Sequence, residues 1–171
     1  MLDNNNIAIK QRILELFVDY VCIFVYLIIL LGVCLGIFFG VLGSIPTFEE
    51  SHSQMIALFA SVLPIALIFS ILDYKKGSIG KRKAGLKLYF KNKKFSSSLI
   101  RNIIKFLPWQ LAHIGVIHGM YSNFDLWAVA FASAGMVLAF IMLIMSFVRK
   151  DKRHLGDLLA GTQVQAMKIP V

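Results

Sequence analysis

The sequence contains few charged residues and few cysteines for a chain of 171 residues. Charged residues make up 16% of it, acidic residues number 9, and both cysteines, Cys22 and Cys34, lie in one apolar run. If that run is helical, the two thiols are about 18 Å apart along the helix, so they do not form a disulfide with each other. Neither belongs to a metal-binding pattern, which argues against a disulfide scaffold and a zinc module.

Apolar residues, in contrast, are abundant. Hydrophobic residues make up 58% of the sequence, and the mean hydropathy is +0.74. Both values are far above those of a soluble domain of this size. We therefore expect an all-α, multi-pass protein of the cell membrane (the inner membrane if the source is bacterial), organised as a single domain over residues 1–171.

Four apolar stretches are candidates for membrane-spanning helices, since a bilayer requires ~20 residues. They cover residues 13–43, 55–72, 99–121 and 126–148. Polar residues dilute the third stretch, but the charge distribution favours its crossing. Residues 74–98 hold nine basic residues and no acid, and the tail after Val148 is also basic, so the positive-inside rule places both segments in the cytoplasm. Both can be cytoplasmic only if residues 99–121 cross, which gives four spans with both termini inside.

The basic cytoplasmic loop also indicates partners of the chain. Its charges attract anionic lipid headgroups at about 1 kcal/mol per lysine or arginine near the surface. We expect anionic lipids to bind there. We expect no nucleic-acid partner, because no recognition helix and no stacking aromatics accompany the charges. A short amphipathic tail helix over residues 155–160, terminated by Gly161, should lie on or dip into the cytoplasmic face.

Three ionisable residues share one face of the first predicted helix. Arg12, Glu15 and Asp19 follow spacings of three and four residues, which stack them along the helix. A charge at bilayer depth costs about 2.5 to 3.5 kcal/mol, so these side chains need a partner or a task. They are candidates for an ion- or substrate-binding network. A snorkelling anchor for Arg12 and a structural charge pair for Asp19 are the alternatives.

Two histidines are further candidates. His113 and His118 can titrate near neutral pH. They are five residues apart, a spacing that does not place them on one helical face, so we expect no metal site.

Three blocks of sequence, in this order, resemble the RDD family of small membrane proteins. The first has Arg12 and, seven residues later, Asp19; the second reads K-G-S-I-G-K-R-K-A-G-L-K-L over residues 76–88; the third reads R-H-L-G-D-L-L-A-G-T-Q-V over residues 153–164. The family is named for one arginine and two aspartates, and the resemblance maps them onto Arg12, Asp19 and Asp157. We expect the tail to bring Asp157 toward Arg12, so that Arg12, Asp19 and Asp157 form one network at the cytoplasmic half of the bundle, directly or through Glu15 or water.

The second block carries a loop motif formed by Gly77, Gly80, Lys81, Arg82 and Gly85. Its glycines permit a tight turn and a close approach of the backbone to a neighbour. The segment is too short for a phosphate-binding Walker loop.

The resemblance implies little settled biochemistry, although transport of ions or small ligands is suggested for the family. One interpretation is a secondary transporter or cation/proton exchanger in which Asp19 binds the coupling ion. The alternative is a non-transporting accessory protein that binds lipid or a partner protein and uses the three charges as a structural clasp. No nucleophile and base pair stands out, so neither an enzyme nor a cofactor is expected. Four helices enclose little more than a packed core, so a transporter of this size should be a homo-oligomer.

Overall fold

A computed structural model describes residues 4–167 of the chain. Long helices form a bundle, and two short helices and two short strands cover one end of it. The elements are α1 (Ile9–Gly40), α2 (Glu50–Ile56), a π-helical segment (Ala57–Val62), α3 (Leu63–Lys75), α4 (Ile79–Lys83), β1 (Leu86–Phe90), α5 (Phe95–Ser122), α6 (Leu126–Val148), α7 (Leu155–Ala160) and β2 (Thr162–Ala166). We call α4, β1, α7 and β2 together the cap.

Three helices are long and apolar enough to cross a membrane: Ile9–Gly40, Glu50–Lys75 and Leu126–Val148. They overlap three of the predicted spans, and the second is longer than predicted at both ends. The fourth candidate, α5, has 28 residues and is long enough to cross at ~1.5 Å per residue. Its polar and charged residues keep its hydropathy below that of the other three, so its crossing stays a prediction.

The α5 and α6 helices are joined by a short turn and pack closely side by side. Asn123 ends α5 in a left-handed conformation with φ 54°, and the Asp125 carboxylate begins α6 by accepting the Ala128 N–H at 2.9 Å. A Cβ at Gly135 of α6 would lie 2.6 Å from the carbonyl oxygen of Pro108 in α5. The absence of a side chain at this position of α6 therefore permits its close contact with α5.

The cap corrects the expectation of an all-α protein with a basic loop. β1 and β2 pair in an antiparallel ladder that aligns Leu86 with Ala166. Leu86 and Leu88 are buried while Lys87 and Tyr89 are exposed, the alternation of a half-buried strand. This period of two was present in the basic segment, but its lysines were interpreted as a topology signal.

The tail is part helix and part strand, because its residues Thr162–Ala166 pair with β1. The helix expected at residues 155–160 is confirmed as α7, and Gly161 ends it with φ 62°.

Two apolar cores result from this arrangement. The core of the cap consists of Ile7, Ala84, Leu86, Leu88 and Val164. The core of the bundle consists of Ile23, Val62, Ile65, Ala66, Phe69 and Phe106. A layer of buried charged residues separates the two.

Candidate functional site

Eight ionisable side chains meet where the bundle contacts the cap. Four are cations and four are carboxylates, so their charges sum to zero when all are ionised. This charge network consists of Arg12, Glu15, Asp19, Asp73, Lys81, Arg101, Lys105 and Asp157. Buried charges are tolerated where they are paired and hydrogen-bonded, and the equal numbers of both signs meet that condition.

Arg12 connects α1 to the segment that precedes α7. Its Nη1 lies 2.8 Å from Glu15 Oε2, and its Nη2 donates to the backbone carbonyl of Lys152 at 2.8 Å. Glu15 in turn pairs with Lys81 of α4 at 3.3 Å. The face of α1 that carries Arg12 and Glu15 is therefore the face that the cap covers.

Asp73, near the end of α3, is the centre of the network. Its Oδ1 lies 3.0 Å from Lys81 Nζ, and its Oδ2 lies 2.7 Å from Arg101 Nη1. Burial alone would lower the pKa of Lys81, but the charges of Asp73 and Glu15 outweigh burial and raise that pKa. Lys81 is therefore charged and ties α4 to both α1 and α3.

Asp157 of α7 is held by Arg101 and by the strand that follows it. Arg101 Nε and the Thr162 hydroxyl both donate to Asp157 Oδ1, each at 2.7 Å. Burial, the largest single influence, raises the pKa of Asp157, but the charge of Arg101 and the hydrogen bonds from Arg101 and Thr162 act together against burial, and the pKa is lowered. Because Arg101 also binds Asp73, one guanidinium joins α3, α5 and α7.

His154 lies against this pair as a neutral ring. Its Nε2 is 3.2 Å from Arg101 Nη2 and 3.2 Å from Asp157 Oδ2. Burial lowers the pKa of His154 to about 3. A guanidinium donates and a carboxylate accepts, so the role of Nε2 between Arg101 and Asp157 follows the tautomer of the ring.

Asp19 has the weakest ion pair of the network. Its two carboxylate oxygens accept hydrogen bonds from the Ser78 hydroxyl and the Gly80 N–H, each at 2.8 Å. Its cation, Lys105 Nζ, is 3.9 Å away, the longest ion-pair distance among the eight residues. The Lys105 side chain is 20% exposed, and its ammonium also lies 4.8 Å from the centre of the Phe69 ring, a further favourable contact for a cation. Asp19 is therefore held mainly by neutral donors.

Gly80 allows these donors to reach Asp19. A Cβ at this position would collide with the backbone oxygen of Glu15 and with the carboxylate of Asp19. Ser78 caps the N-terminus of α4 through a hydrogen bond from the backbone N–H of Lys81. Since the Ser78 hydroxyl also donates to Asp19, the start of α4 is positioned directly on the acid.

The other members of the loop motif have different environments. Gly77 and Gly85 flank α4 with φ values of 89° and 68°, a conformation that favours glycine. Lys81 is fully buried in the charge network, whereas Arg82 is exposed. The motif therefore shapes the contact between the cap and α1.

A cavity of about 300 Å³ opens beside Asp19 between α1, α5 and α6. Its walls are mostly apolar, and its acidic and basic side chains are Asp19, Lys105 and His154. A smaller cavity of about 80 Å³ lies on the α3 side of Asp19. The other three network carboxylates line neither cavity. Asp19 is therefore the acid of the network that lines the cavity between α1, α5 and α6.

The two candidate titrating histidines lie outside the charge network. His113 Nε2 accepts a hydrogen bond from Trp109 Nε1 at 2.9 Å. His118 contacts Glu50 at 2.8 Å and Asp125 at 3.3 Å. Among the residues described, no group of three or more His, Cys, Asp or Glu side chains is arranged to hold a metal ion.

Arg12 and Asp157 are joined through other residues. Within residues 4–167 they form no ion pair with each other. The ion pairs that connect them pass through Glu15, Lys81, Asp73 and Arg101. Asp19 joins this series through Ser78, whose hydroxyl lies 3.2 Å from Lys81 Nζ.

Sequence reasoning missed three members of the network. Asp73 follows an apolar run, and Arg101 and Lys105 lie one turn apart in the third predicted span. The two basic residues were counted only among the polar residues that dilute that span. The signal that identifies them is the general one that an ionisable residue inside a span is a functional candidate.

Comparisons with known proteins add one finding. The family model described as the RDD family matches residues 8–161, which is most of the chain and includes all eight residues of the charge network. No curated protein and no solved structure gives a significant match.

Proposed function

This chain belongs to the RDD family, and we propose that it is a secondary transporter, a cation/proton exchanger in which Asp19 binds and releases the transported cation. The position of Asp19 carries the proposal. Asp19 lines the 300 Å³ cavity, and its ion pair with Lys105 is the longest in the network. A carboxylate in the bundle interior with a loosely held cation can exchange that cation for another.

The charge balance of the network defines the exchange. The eight side chains carry no net charge when all are ionised. A monovalent cation that enters the cavity and binds Asp19 adds one positive charge, and Lys105 restores neutrality when its ammonium releases a proton to the water of the cavity. One cation is thereby exchanged for one proton. When Lys105 takes up a proton again, its charge competes for Asp19 and expels the cation.

Ser78 provides the second oxygen of the cation site in this proposal. Its hydroxyl oxygen lies 2.8 Å from Asp19 Oδ2. Carboxylate and hydroxyl oxygens are ligands that hard cations prefer. The ammonium of Lys105 also contacts the Phe69 ring, and in this proposal the ring keeps the ammonium in the bundle when the cation displaces it from Asp19.

The membrane arrangement that we propose has four crossings, with α5 as the third, and both termini in the cytoplasm. Two of the polar side chains that lower the hydropathy of α5 lie inside the bundle, since Arg101 is 2% exposed and Asn102 is fully buried. The large exposed side chains of α5 include Ile100, Ile103 and Leu107. A helix of this kind satisfies its polar groups inside the bundle.

We further propose a homo-oligomer in which α1 contacts a second copy. Gly32, Gly36 and Gly40 recur every four residues on α1, and no atom beyond the chain neighbours and the helix's own backbone lies within 4 Å of a Cβ built at any of them. This strip of glycines is therefore open for close helix packing. Light scattering of the detergent-solubilised protein measures its mass. A monomeric mass for protein that retains exchange activity would contradict this arrangement.

The alternative function is a non-transporting accessory protein. The observation in its favour is that every carboxylate of the network has a cationic partner, so the eight residues also fit a clasp that fastens the cap to the bundle. Under this alternative Asp19 has no role beyond stability.

The proposal is tested in sealed proteoliposomes that contain a pH-indicating dye. Inward gradients of Na⁺, K⁺ and Li⁺ are applied in turn, and we expect at least one of them to drive protons outward in equal number. Asp19→Asn should abolish this proton movement. The matched control is Glu49→Gln, because Glu49 is exposed and its substitution also removes one carboxylate. No proton movement with any of the three cations, or full movement in Asp19→Asn, would overturn the proposal.

A further inference from the structure

A second cavity, of about 240 Å³, lies on the surface between the end of α3 and β1. Four lysines line it: Lys75, Lys76, Lys87 and Lys93. All four are exposed, and none of them forms an ion pair with an acidic side chain of the residues described. We call this cavity the basic cleft. Four like charges around one space repel each other, so an anion in the cleft is favoured.

We propose that the basic cleft binds the phosphate group of an anionic phospholipid from the leaflet that adjoins the cap. One acid, Asp73, also lines the cleft, but its charge is already matched by Lys81 at 3.0 Å and Arg101 at 2.7 Å. The field in the cleft is therefore that of the four lysines, and it attracts a phosphate.

The depth of the cleft favours a lipid over a soluble phosphate. Lys75 is the last residue of Glu50–Lys75, which is long and apolar enough to cross a membrane. The cleft therefore begins where the apolar helix ends, which is the level of lipid headgroups. Basic side chains at this level are attracted to anionic lipids of the adjoining leaflet.

Aromatic rings in the cleft fit the same depth. Tyr74, Tyr89 and Phe90 line it together with the lysines. The ammonium of Lys93 lies 5.6 Å from the centre of the Tyr74 ring, and that of Lys87 lies 5.9 Å from the Tyr89 ring. Tyrosines are enriched at membrane–water interfaces, where the ring meets acyl chains and the hydroxyl meets water. The rings hold the lysine stems in place and provide an apolar surface for the lipid.

The alternation of β1 explains how the cleft is formed. Lys87 and Tyr89 are two residues apart, so they project from the same face of the strand. Leu86 and Leu88 project from the other face into the core of the cap and are at most 4% exposed. The apolar face fixes the strand, and the opposite face supplies a lysine and a ring to the cleft.

Native mass spectrometry of the full-length protein in detergent tests this proposal by titration with phosphatidylglycerol or with phosphatidylcholine. We expect the wild type to bind phosphatidylglycerol preferentially. The variant Lys76→Gln/Lys87→Gln/Lys93→Gln should weaken phosphatidylglycerol binding by about tenfold or more, since each lysine near a charged surface changes binding several-fold. The variant with arginine at the same three positions should retain binding, because the charge is kept.

The matched control is Lys83→Gln/Lys91→Gln/Lys94→Gln. It removes the same charge from the same basic segment, but its residues are exposed and do not line the cleft. Equal losses in the two glutamine triples would show a diffuse surface effect and overturn the proposal. So would equal binding of the two lipids, or inorganic phosphate that binds as tightly as phosphatidylglycerol. If the cleft triple does not fold, Lys93→Gln is compared with Lys94→Gln, and equal lipid binding by these two folded variants would overturn the proposal.

Discussion

The hydroxyl of Tyr26 in α1 donates a hydrogen bond of 2.7 Å to the carbonyl oxygen of Ala60 in the π-helical segment. Pro64 has no N–H with which to bond that carbonyl from four residues further along the helix. An unpaired carbonyl in an apolar environment costs free energy, so the tyrosine stabilises the proline-containing helix and fastens α1 to it. Asp19 lies seven residues before Tyr26, about two turns along the same face. This contact therefore helps to position Asp19.

Tyr26→Phe should lower the free energy of unfolding by about 1 to 2 kcal/mol, because it leaves the Ala60 carbonyl without its donor. Thermal denaturation in one detergent measures the change. Tyr20→Phe is the matched control, since Tyr20 is on the same helix and 66% exposed. Equal stability losses in the two variants would contradict a specific role for the Tyr26 hydroxyl.

Gly80→Ala should separate α4 from α1. The added Cβ meets the backbone oxygen of Glu15 and the Asp19 carboxylate, and overpacking of this kind typically costs about 1 to 3 kcal/mol. The control is Ser96→Ala, a substitution at an exposed position of α5. The denaturation midpoints of both variants are measured. A Gly80→Ala protein as stable as the Ser96→Ala protein would show that the contact between α4 and α1 is not tight.

The sequence was informative about features that depend on local spacing. Arg12, Glu15 and Asp19 are on one helix, so their common face follows from helical periodicity alone. The end of α7 at Gly161 follows from local backbone preferences in the same way. These features involve residues close together in the chain, and sequence patterns report them directly.

Features that depend on distant residues were not accessible in this way. The pairing of Leu86 with Ala166 joins segments far apart in the chain, and neither segment reveals its partner. Asp73 and Arg101 come together because α3 packs on α5. A basic residue near the end of a span is consistent with an orientation signal and also with a buried ion pair. Only the tertiary packing distinguishes these two interpretations. The single-helix candidates were therefore identified, while their partners on other helices were not.

His154 should make the protein less stable in mild acid. Its pKa is lowered from 6.5 to about 3 in the folded protein, so between these pH values the unfolded state binds the additional proton. Stability therefore falls as the pH falls below 6.5, by at most about 1.4 kcal/mol per pH unit. His154→Gln keeps an acceptor for Arg101 and removes the titration. The melting temperature should therefore fall less between pH 7.5 and pH 5 in the variant than in the wild type. Identical decreases in the two proteins would show that His154 is not the titrating group.

Cysteine labelling should place the two ends of α5 on opposite sides of the membrane. In a background with Cys22 and Cys34 replaced by alanine, single cysteines are introduced at Ser51, Asn92 and Asn123, all of them exposed. With four crossings and cytoplasmic termini, a membrane-impermeant maleimide should label positions 51 and 123 on intact cells, and position 92 only after lysis. Labelling of position 92 from outside would overturn the arrangement, as would protection of position 123.

Lys105→Gln should abolish exchange without lowering stability, whereas Arg101→Gln should lower stability. Lys105 supplies the exchanged proton in the proposed cycle, and its ion pair is long and partly exposed. Its glutamine variant should therefore fold normally but no longer release protons when a cation is added. Arg101→Gln leaves Asp73 and Asp157 without their 2.7 Å partner, which should cost about 3 to 5 kcal/mol of stability. Proton movement and melting temperature are measured on the same reconstituted proteins. The control is Lys10→Gln, because Lys10 is an exposed lysine in the first turn of α1. Undiminished cation-driven proton movement in a folded Lys105→Gln protein would remove Lys105 from the cycle, and a melting temperature that falls as far as that of Arg101→Gln would assign it to the clasp.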